Sequence, residues 1–282
     1  MASIKSASNT IKASSASLTS FLEQNTGISN FVFVCIVILL FLLLFSAGNK
    51  ILQVVLNKDS PYLIKGMISG TTATIISQDP GQTGAIPLPR SNNQSEGIEF
   101  TYSVWLNITD LDANSSQYKH VFSKGDNASI NNGLYTPNNA PGLYIGPDPS
   151  GESQYEPTLV VIMNTFTSIN ETVVVRDIPL QKWLNVILRV NGAYLDVYVN
   201  GTLAKRHTLN GVAKQNNGDV YVCKNGGFNG YLSDLRYYNT ALSPGNIVSI
   251  TQKGPNMAAS SVSTNDLNNI PPYFSTQWYF KN

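Results

Sequence analysis

Hydrophobic positions along the chain follow two rules, and the change from one to the other divides it. Residues 31–47, FVFVCIVILLFLLLFSA, hold no charge and are apolar at every helical position rather than along one stripe. That pattern predicts a membrane-spanning helix over residues 28–49. A core helix of this length is seldom apolar on every face. A cleavable signal peptide would pair a shorter apolar run with a small-residue cleavage site, whereas this run begins only at residue 31. From residue 95 onward the period drops to two. Ile98, Phe100, Tyr102, Val104 and Leu106 alternate with Glu99, Thr101, Ser103 and Trp105, which predicts a half-buried strand.

Further strands are predicted at residues 158–163, 171–175, 220–223 and 228–238. From Trp183 onward, Leu184, Val186, Leu188 and Val190 alternate up to Asn191-Gly192, and Leu195, Val197 and Val199 up to Asn200-Gly201. Each Asn-Gly supplies the positive φ of a type I′ turn, so a three-stranded antiparallel meander is predicted. Ser243-Pro244 sets an N-cap and a proline at N1 before a short helix through Ile247 and Ile250, stopped at Gly254. With no long helical pattern inside it, the segment 95–254 reads as an all-β domain.

Three segments flank these elements. Residues 1–27 are rich in Ser, with Ile4, Ile11, Leu18 and Leu22 at near-heptad spacing; this is either an amphipathic helix on a membrane surface or a polar tail without structure. Residues 50–94 read as a Gly- and Pro-punctuated connector with a candidate strand at 72–77. Residues 255–282 end in an aromatic tail containing Tyr273, Phe274, Trp278, Tyr279 and Phe280, which either packs back onto the domain or meets a partner.

Charge narrows the partners. Charged residues make up 12% of the chain and the net charge is +1, so there is no basic field to hold nucleic acid. Membrane lipid through residues 28–49, other proteins and glycans remain. Lys12 precedes the apolar run while Lys50, Lys58 and Lys65 follow it, a bias that puts the β domain on the cytosolic face. The two cysteines, Cys35 inside the apolar run and Cys223 in the domain, form no disulfide framework, which agrees with a reducing compartment. Asn-x-Ser/Thr sequons stand at Asn93, Asn107, Asn114, Asn127, Asn170 and Asn200, but a chain with 31 Asn produces such triplets by composition alone.

Four segments in order, FTYSVWL at Phe100, HVFSKG at His120, PLQKWLNVILRVNGAYLDVYVNG from Pro179 and GFNGYLSDLRYYNTALSP from Gly227, resemble the laminin-G-like branch of the concanavalin A-like sandwiches. The resemblance implies a two-sheet antiparallel jelly roll over about residues 95–254, in agreement with the strand reading above. Where that family commonly has an acidic residue after Ser-Pro, this chain has Gly245 and Asn246. A membrane span, a connector and one such domain also resemble virion membrane or minor capsid proteins of large icosahedral DNA viruses. That likeness implies a structural, cytosol-facing role.

Catalytic chemistry is hard to find. Glucanases on this fold place two carboxylates about 5 Å apart on one strand face, whereas the nearest acidic pairs here are Glu96 with Glu99 and Glu152 with Glu156, at a strand entrance and in a loop. His120 and His207 lack zinc-ligand neighbours, no Gly-x-Ser-x-Gly elbow occurs, and residues 226–230 read as a turn rather than a phosphate loop. Asp110, Asp112, Asp126 and Asp148 are loop carboxylates suited to calcium, without the spacing of a calcium loop. The expectation is therefore no catalytic residue, cofactor or metal. Tyr135, Tyr144 and Tyr155 fall in long loops, where exposed rings could stack on sugars.

Overall fold

The computed structural model describes residues 26–58, 60–95, 97–111, 117–126, 130–147 and 157–260. The Ser-rich segment up to residue 25 and the aromatic tail from residue 261 lie outside the described residues. The chain divides into two units, the first ending at Leu56 and the second beginning at Asn57.

Helix α1 (Thr26–Lys58) belongs to the first unit up to Leu56 and runs past the residue 49 limit expected from hydropathy. Thirteen large apolar side chains between Phe31 and Phe45 are each 49–69% exposed. Among the described residues no helix is long and apolar enough to cross a membrane; the side chains described without a break cover residues 33–48.

The second unit is a sandwich of two antiparallel sheets. The first runs β1 (Met67–Ser69), β15 (Gly230–Tyr238), β4 (Gly97–Ile108), β11 (Trp183–Asn191), β12 (Tyr194–Val199) and β13 (Thr202–Thr208), with β3 (Asn92–Gln94) added to β4. The second runs β10 (Glu171–Val175), β9 (Thr158–Met163), β8 (Gly142–Gly146), β5 (Lys119–Lys124), β14 (Val220–Val222) and β2 (Thr74–Ile76). Their inner faces enclose one core, with Leu106, Val186 and Val197 from the first sheet meeting Val121, Leu143 and Val161 from the second.

Parts of both outer faces are also covered. Helix α2 (Pro244–Lys253) starts at the expected Ser243 cap, whose side chain accepts from the Asn246 amide, and ends at Gly254. It presses Ile247 onto Ile187, Tyr198 and Leu242 outside the first sheet. A ribbon of β6 (Ile130–Asn131) and β7 (Leu134–Tyr135) brings Tyr135 onto Tyr144, Val160 and Ile162 outside the second. The expected half-buried β4 is thus buried on both faces, with Trp105 only 6% exposed.

Two expectations change. The connector 50–94 is largely sandwich, since β1 pairs with β15, β2 with β14 and β3 with β4. The domain also runs past residue 254, because Ala259 bridges Met67 and the Ser260 amide donates to the Met67 carbonyl. Of the two expected type I′ turns, the second holds, with φ 51° at Asn200 and 80° at Gly201. At the first, Asn191 pairs with Tyr194, so the loop is Gly192-Ala193 and only Gly192 takes a positive φ. That is the backbone of a II′ turn.

The central strands carry the fold and the edge does not. Leu106→Ala, at 0% exposure, is expected to lower stability by ~2–5 kcal/mol. Leu203→Ala, on exposed β13, is expected to change it by less than ~0.5 kcal/mol. Urea unfolding followed by tryptophan fluorescence separates the two, and similar costs at both positions would refute the assignment of β13 as a peripheral edge.

Candidate functional site

A cleft of about 350 Å³ opens between the sheets at one end of the sandwich. Its floor is aromatic: Phe100 and Tyr102 from β4 and Tyr237 from β15, with Tyr102 and Tyr237 in edge contact at 5.0 Å between ring centres. One wall is a strap, residues 86–90, held in place by side-chain hydrogen bonds. Gln78 at the end of β2 donates through Nε2 to the Ile86 carbonyl at 3.0 Å and accepts at Oε1 from the Leu88 amide at 3.0 Å. The Tyr237 hydroxyl donates to the Pro89 carbonyl at 3.1 Å. Gln215, Asn216 and Asn217 face the strap across the opening.

Lys124, the last residue of β5, lies in this cleft and is 8% exposed. Its backbone is fixed on both sides: the amide donates to Pro141 at 2.9 Å, and the carbonyl accepts from Ala140 and from the Asn216 side chain. Its ammonium donates to the Gly218 carbonyl at 2.6 Å. Burial pushes its pKa down to about 8, with the charge of Asp219 acting in the opposite direction. A desolvated ammonium facing an open cavity is suited to holding an acceptor or an anion. No feature of HVFSKG marks Lys124 as buried, because the residues around it arrive from distant parts of the chain.

The residues singled out from sequence take other places. Tyr135 and Tyr144 are 3% and 0% exposed rather than open to sugar rings; the Tyr144 hydroxyl donates to Asn139 at 2.6 Å and accepts from the Tyr135 amide. Asp110 accepts from the Asn229 side chain at 2.9 Å and Asp126 from that of Asn138. Among the described residues no three His, Cys, Asp or Glu side chains gather to hold a metal. Tyr155, Asp112, Asp148, Glu96, Glu152 and Glu156 lie outside the described residues. Glu99 sits on β4 opposite Asn92 and Asn191. Gly226 and Gly227 turn the chain at φ 79° and 54° against the β1–β2 loop.

Neither histidine stands in a reactive setting. His207 on β13 meets Glu171 of the opposite sheet at 3.2 Å, and Glu171 also accepts from Thr165 at 2.7 Å and from the Asn210 amide at 3.0 Å. His120, 1% exposed, accepts at Nδ1 from the Lys224 amide at 3.1 Å, so its proton sits on Nε2 and is donated to Ser123 at 2.9 Å. Burial, helped by the charge of Lys224, pushes its pKa down to about 3. Sequence reasoning missed the buried carboxylate Asp196, which accepts from Arg189 at 2.8 Å and from Arg206 at 2.6 and 2.9 Å. The alternation of β12 could not reveal it, since it places Asp196 on the face away from Leu195 and Val197, and only the structure shows that face covered.

Two all-antiparallel sheets around one core, with a helix and a ribbon over the outer faces, define a lectin-type sandwich. Residues 80–248, more than half of the chain, match the concanavalin A-like lectin/glucanases superfamily, and the chain belongs to it. Solved structures with some likeness include the receptor binding domain of botulinum neurotoxin D, at 13% identity and a TM-score of 0.43 over 70% of this chain and 53% of that one. The binding domain of Paraclostridial Mosquitocidal Protein 1 gives 12% identity and a TM-score of 0.39 over 67% and 47% of the two chains. The binding domain of botulinum neurotoxin DC, solved in complex with rat synaptotagmin II, gives 12% and 0.38 over 55% and 35%. The match thus spans about half of these structures or less. No curated protein matches the chain.

The buried imidazole makes the sandwich acid-sensitive. Unfolded, His120 takes up a proton near pH 6.5; folded, it stays neutral until about pH 3. Its contribution to stability is therefore complete above about pH 6.5 and is lost as the pH falls towards about 3, at ~1.4 kcal/mol per pH unit. His120→Asn, which retains an acceptor for the Lys224 amide, is expected to flatten the stability profile by about one proton across that window. Urea midpoints at pH 6.5, 5.5 and 4.5 test this, and an unchanged slope would exclude His120 as the source.

Proposed function

We propose that this chain is a non-enzymatic, membrane-anchored interaction protein. In this reading α1 holds the sandwich at the cytosolic face of a bilayer, and the sandwich engages other proteins there, as a virion minor capsid or membrane component joining a membrane to a protein shell would. The carrying observation is α1. Its exposed side chains from Ile36 to Phe45 are consecutive and so cover every face of the helix. A single protein groove covers one face of a helix, whereas hydrocarbon covers all of them. The uncharged sequence from residue 31 to 47 and its neighbours supply the ~20 residues that a span requires.

The non-enzymatic part of the reading is supported by how the buried carboxylates are used. Glu171 is held by Thr165, the Asn210 amide and His207, Asp196 by Arg189 and Arg206, and Asp234 by the Gly66 amide at 2.9 Å. Each ties one part of the fold to another. A glycan-binding attachment role is the alternative; it keeps the support of family membership and loses that of Tyr135 and Tyr144.

The anchoring reading makes a direct prediction. Wild-type chain stays in the membrane pellet after alkaline carbonate extraction, and Leu40→Lys with Leu43→Lys moves it to the supernatant, each lysine opposing insertion by ~2.5–3.5 kcal/mol. Added protease digests the sandwich from the cytosolic side only. Extraction of the wild type by carbonate would sink the anchoring, and protection of the sandwich from cytosolic protease would reverse the topology.

A further inference from the structure

The inter-sheet cleft carries chemistry that membrane anchoring does not use. Two cations, Lys124 and Arg90, line it, and no carboxylate does. In a chain with 18 basic and 17 acidic residues, that is a local surplus of one sign. Asp219 acts on Lys124 from behind the wall, but its Oδ1 is engaged by the Gln78 amide at 2.8 Å.

Three donors in the cleft are unspent. An ammonium has three protons, and that of Lys124 has one described acceptor, the Gly218 carbonyl. The Tyr102 hydroxyl, on a residue 2% exposed, has no hydrogen-bond partner among the described residues. Arg90, exposed at the rim, makes no ion pair or hydrogen bond among them. A buried charge is costly unless it is paired, so the cleft is built to be completed by an anion.

Size and surface limit the anion. About 350 Å³ lies at the small end of ligand pockets and admits a single ring rather than a chain segment. Phe100, Tyr102 and Tyr237 offer ring surfaces to a flat body, and the amides of Gln215, Asn216 and Asn217 edge the mouth. One desolvated ammonium balances one unit of charge. The second charge of a dianion such as phosphate would have only Arg90 at the exposed rim to meet it, while Asp219 already acts on Lys124.

We propose that the cleft is a binding site for a small ring-bearing monocarboxylate, whose carboxylate pairs with Lys124 and whose ring rests on the aromatic floor. Tyr102 donates to the same ligand, and Arg90 attracts it at the entrance. Binding requires Lys124 to be protonated, and burial sets its pKa at about 8. The other groups facing it are Asp219, Arg90, Tyr102 and Tyr237, of which the two tyrosines are pushed upward by burial and stay neutral through that range.

Isothermal titration of the full chain in detergent tests the site with five probes: benzoate and glucuronate, their uncharged counterparts benzamide and glucose, and inorganic phosphate. At pH 7 at least one carboxylate is expected to bind at least tenfold more tightly than its uncharged counterpart and than phosphate. Which carboxylate binds distinguishes an aromatic from a hydroxylated ring. Affinity is expected to fall about tenfold per pH unit above about pH 8. Lys124→Met abolishes binding. Tyr102→Phe and Arg90→Gln, which remove a hydroxyl and a rim charge without disturbing the core, each weaken it three- to tenfold. The proposal is overturned if no probe binds the wild type, if an uncharged probe or phosphate binds as well as the carboxylates, or if both Tyr102→Phe and Arg90→Gln bind like the wild type.

Discussion

Strand β4 is the constraint on which the rest of the sandwich depends. It pairs along nine positions with β11 on one side and with β15 on the other, and it is covered on both faces. Where such a strand is sealed from water, as at Thr101 and Ser103 away from the cleft, its polar groups must be met from within. Thr101 donates to the Thr240 carbonyl at 2.8 Å and accepts from the Leu242 amide at 3.1 Å. These bonds fasten the segment that leads from β15 into α2 across the outer face. Ser103 and the Val104 carbonyl share the Nδ2 of Asn185 at 3.3 Å, while the Oδ1 of Asn185 has no partner among the described residues. The polar half of the alternation is thus what fixes the covering layer.

This explains which parts of the fold were legible in the sequence. Period two located β4, β11 and β12 because a strand's inner face must be apolar whatever lies outside it. The same pattern could not show that Thr101, Ser103 and Trp105 are covered, since a residue that packs under α2 and one that faces water can be of the same type. Strands β1, β2 and β3 have three residues each, too few for any period, and they are strands only because β15, β14 and β4 offer them edges. The Gly192-Ala193 turn escaped because Asn-Gly was read as the loop, although pairing of Asn191 with Tyr194 moves the loop on by one residue. At Asn132-Gly133 the Asn-Gly rule does apply, with φ 51° and 85°, and it makes the ribbon that buries Tyr135. A turn signal there argued against an open tyrosine loop.

The cleft was less legible still. Its walls come from residues near 78, 88, 102, 124, 216 and 237, and no local pattern relates segments that far apart. What the sequence does carry is scarcity. With 12% charged residues, buried carboxylates are met by basic side chains on other strands, Asp196 by Arg189 and Arg206 on the two strands beside it and Glu171 by His207 of the other sheet. Asp196 sits at 0% exposure between two guanidiniums, one of them 53% exposed at its side chain, so its charge is satisfied without leaving the surface short of solvation. Against that habit the ammonium of Lys124 stands out: its one hydrogen-bond acceptor among the described residues is the Gly218 carbonyl, and Asp219 acts on it only through space.

The two halves of the chain treat water in opposite ways. In the sandwich, α2 and the β6–β7 ribbon shield parts of the outer faces of the sheets, and core residues such as Leu106 and Val186 reach 0% exposure. In α1, a continuous apolar run is left open along its whole girth. Apolar burial contributes roughly 25 cal/mol per Å², so side chains as large as Phe41 and Leu44, each more than half exposed, carry a strong drive to be covered. The low surface charge of the sandwich has a related consequence: long-range electrostatic attraction to a partner is weak, and the encounter rate would then depend on concentration. On the proposed anchoring, confinement to a bilayer by α1 would supply that concentration.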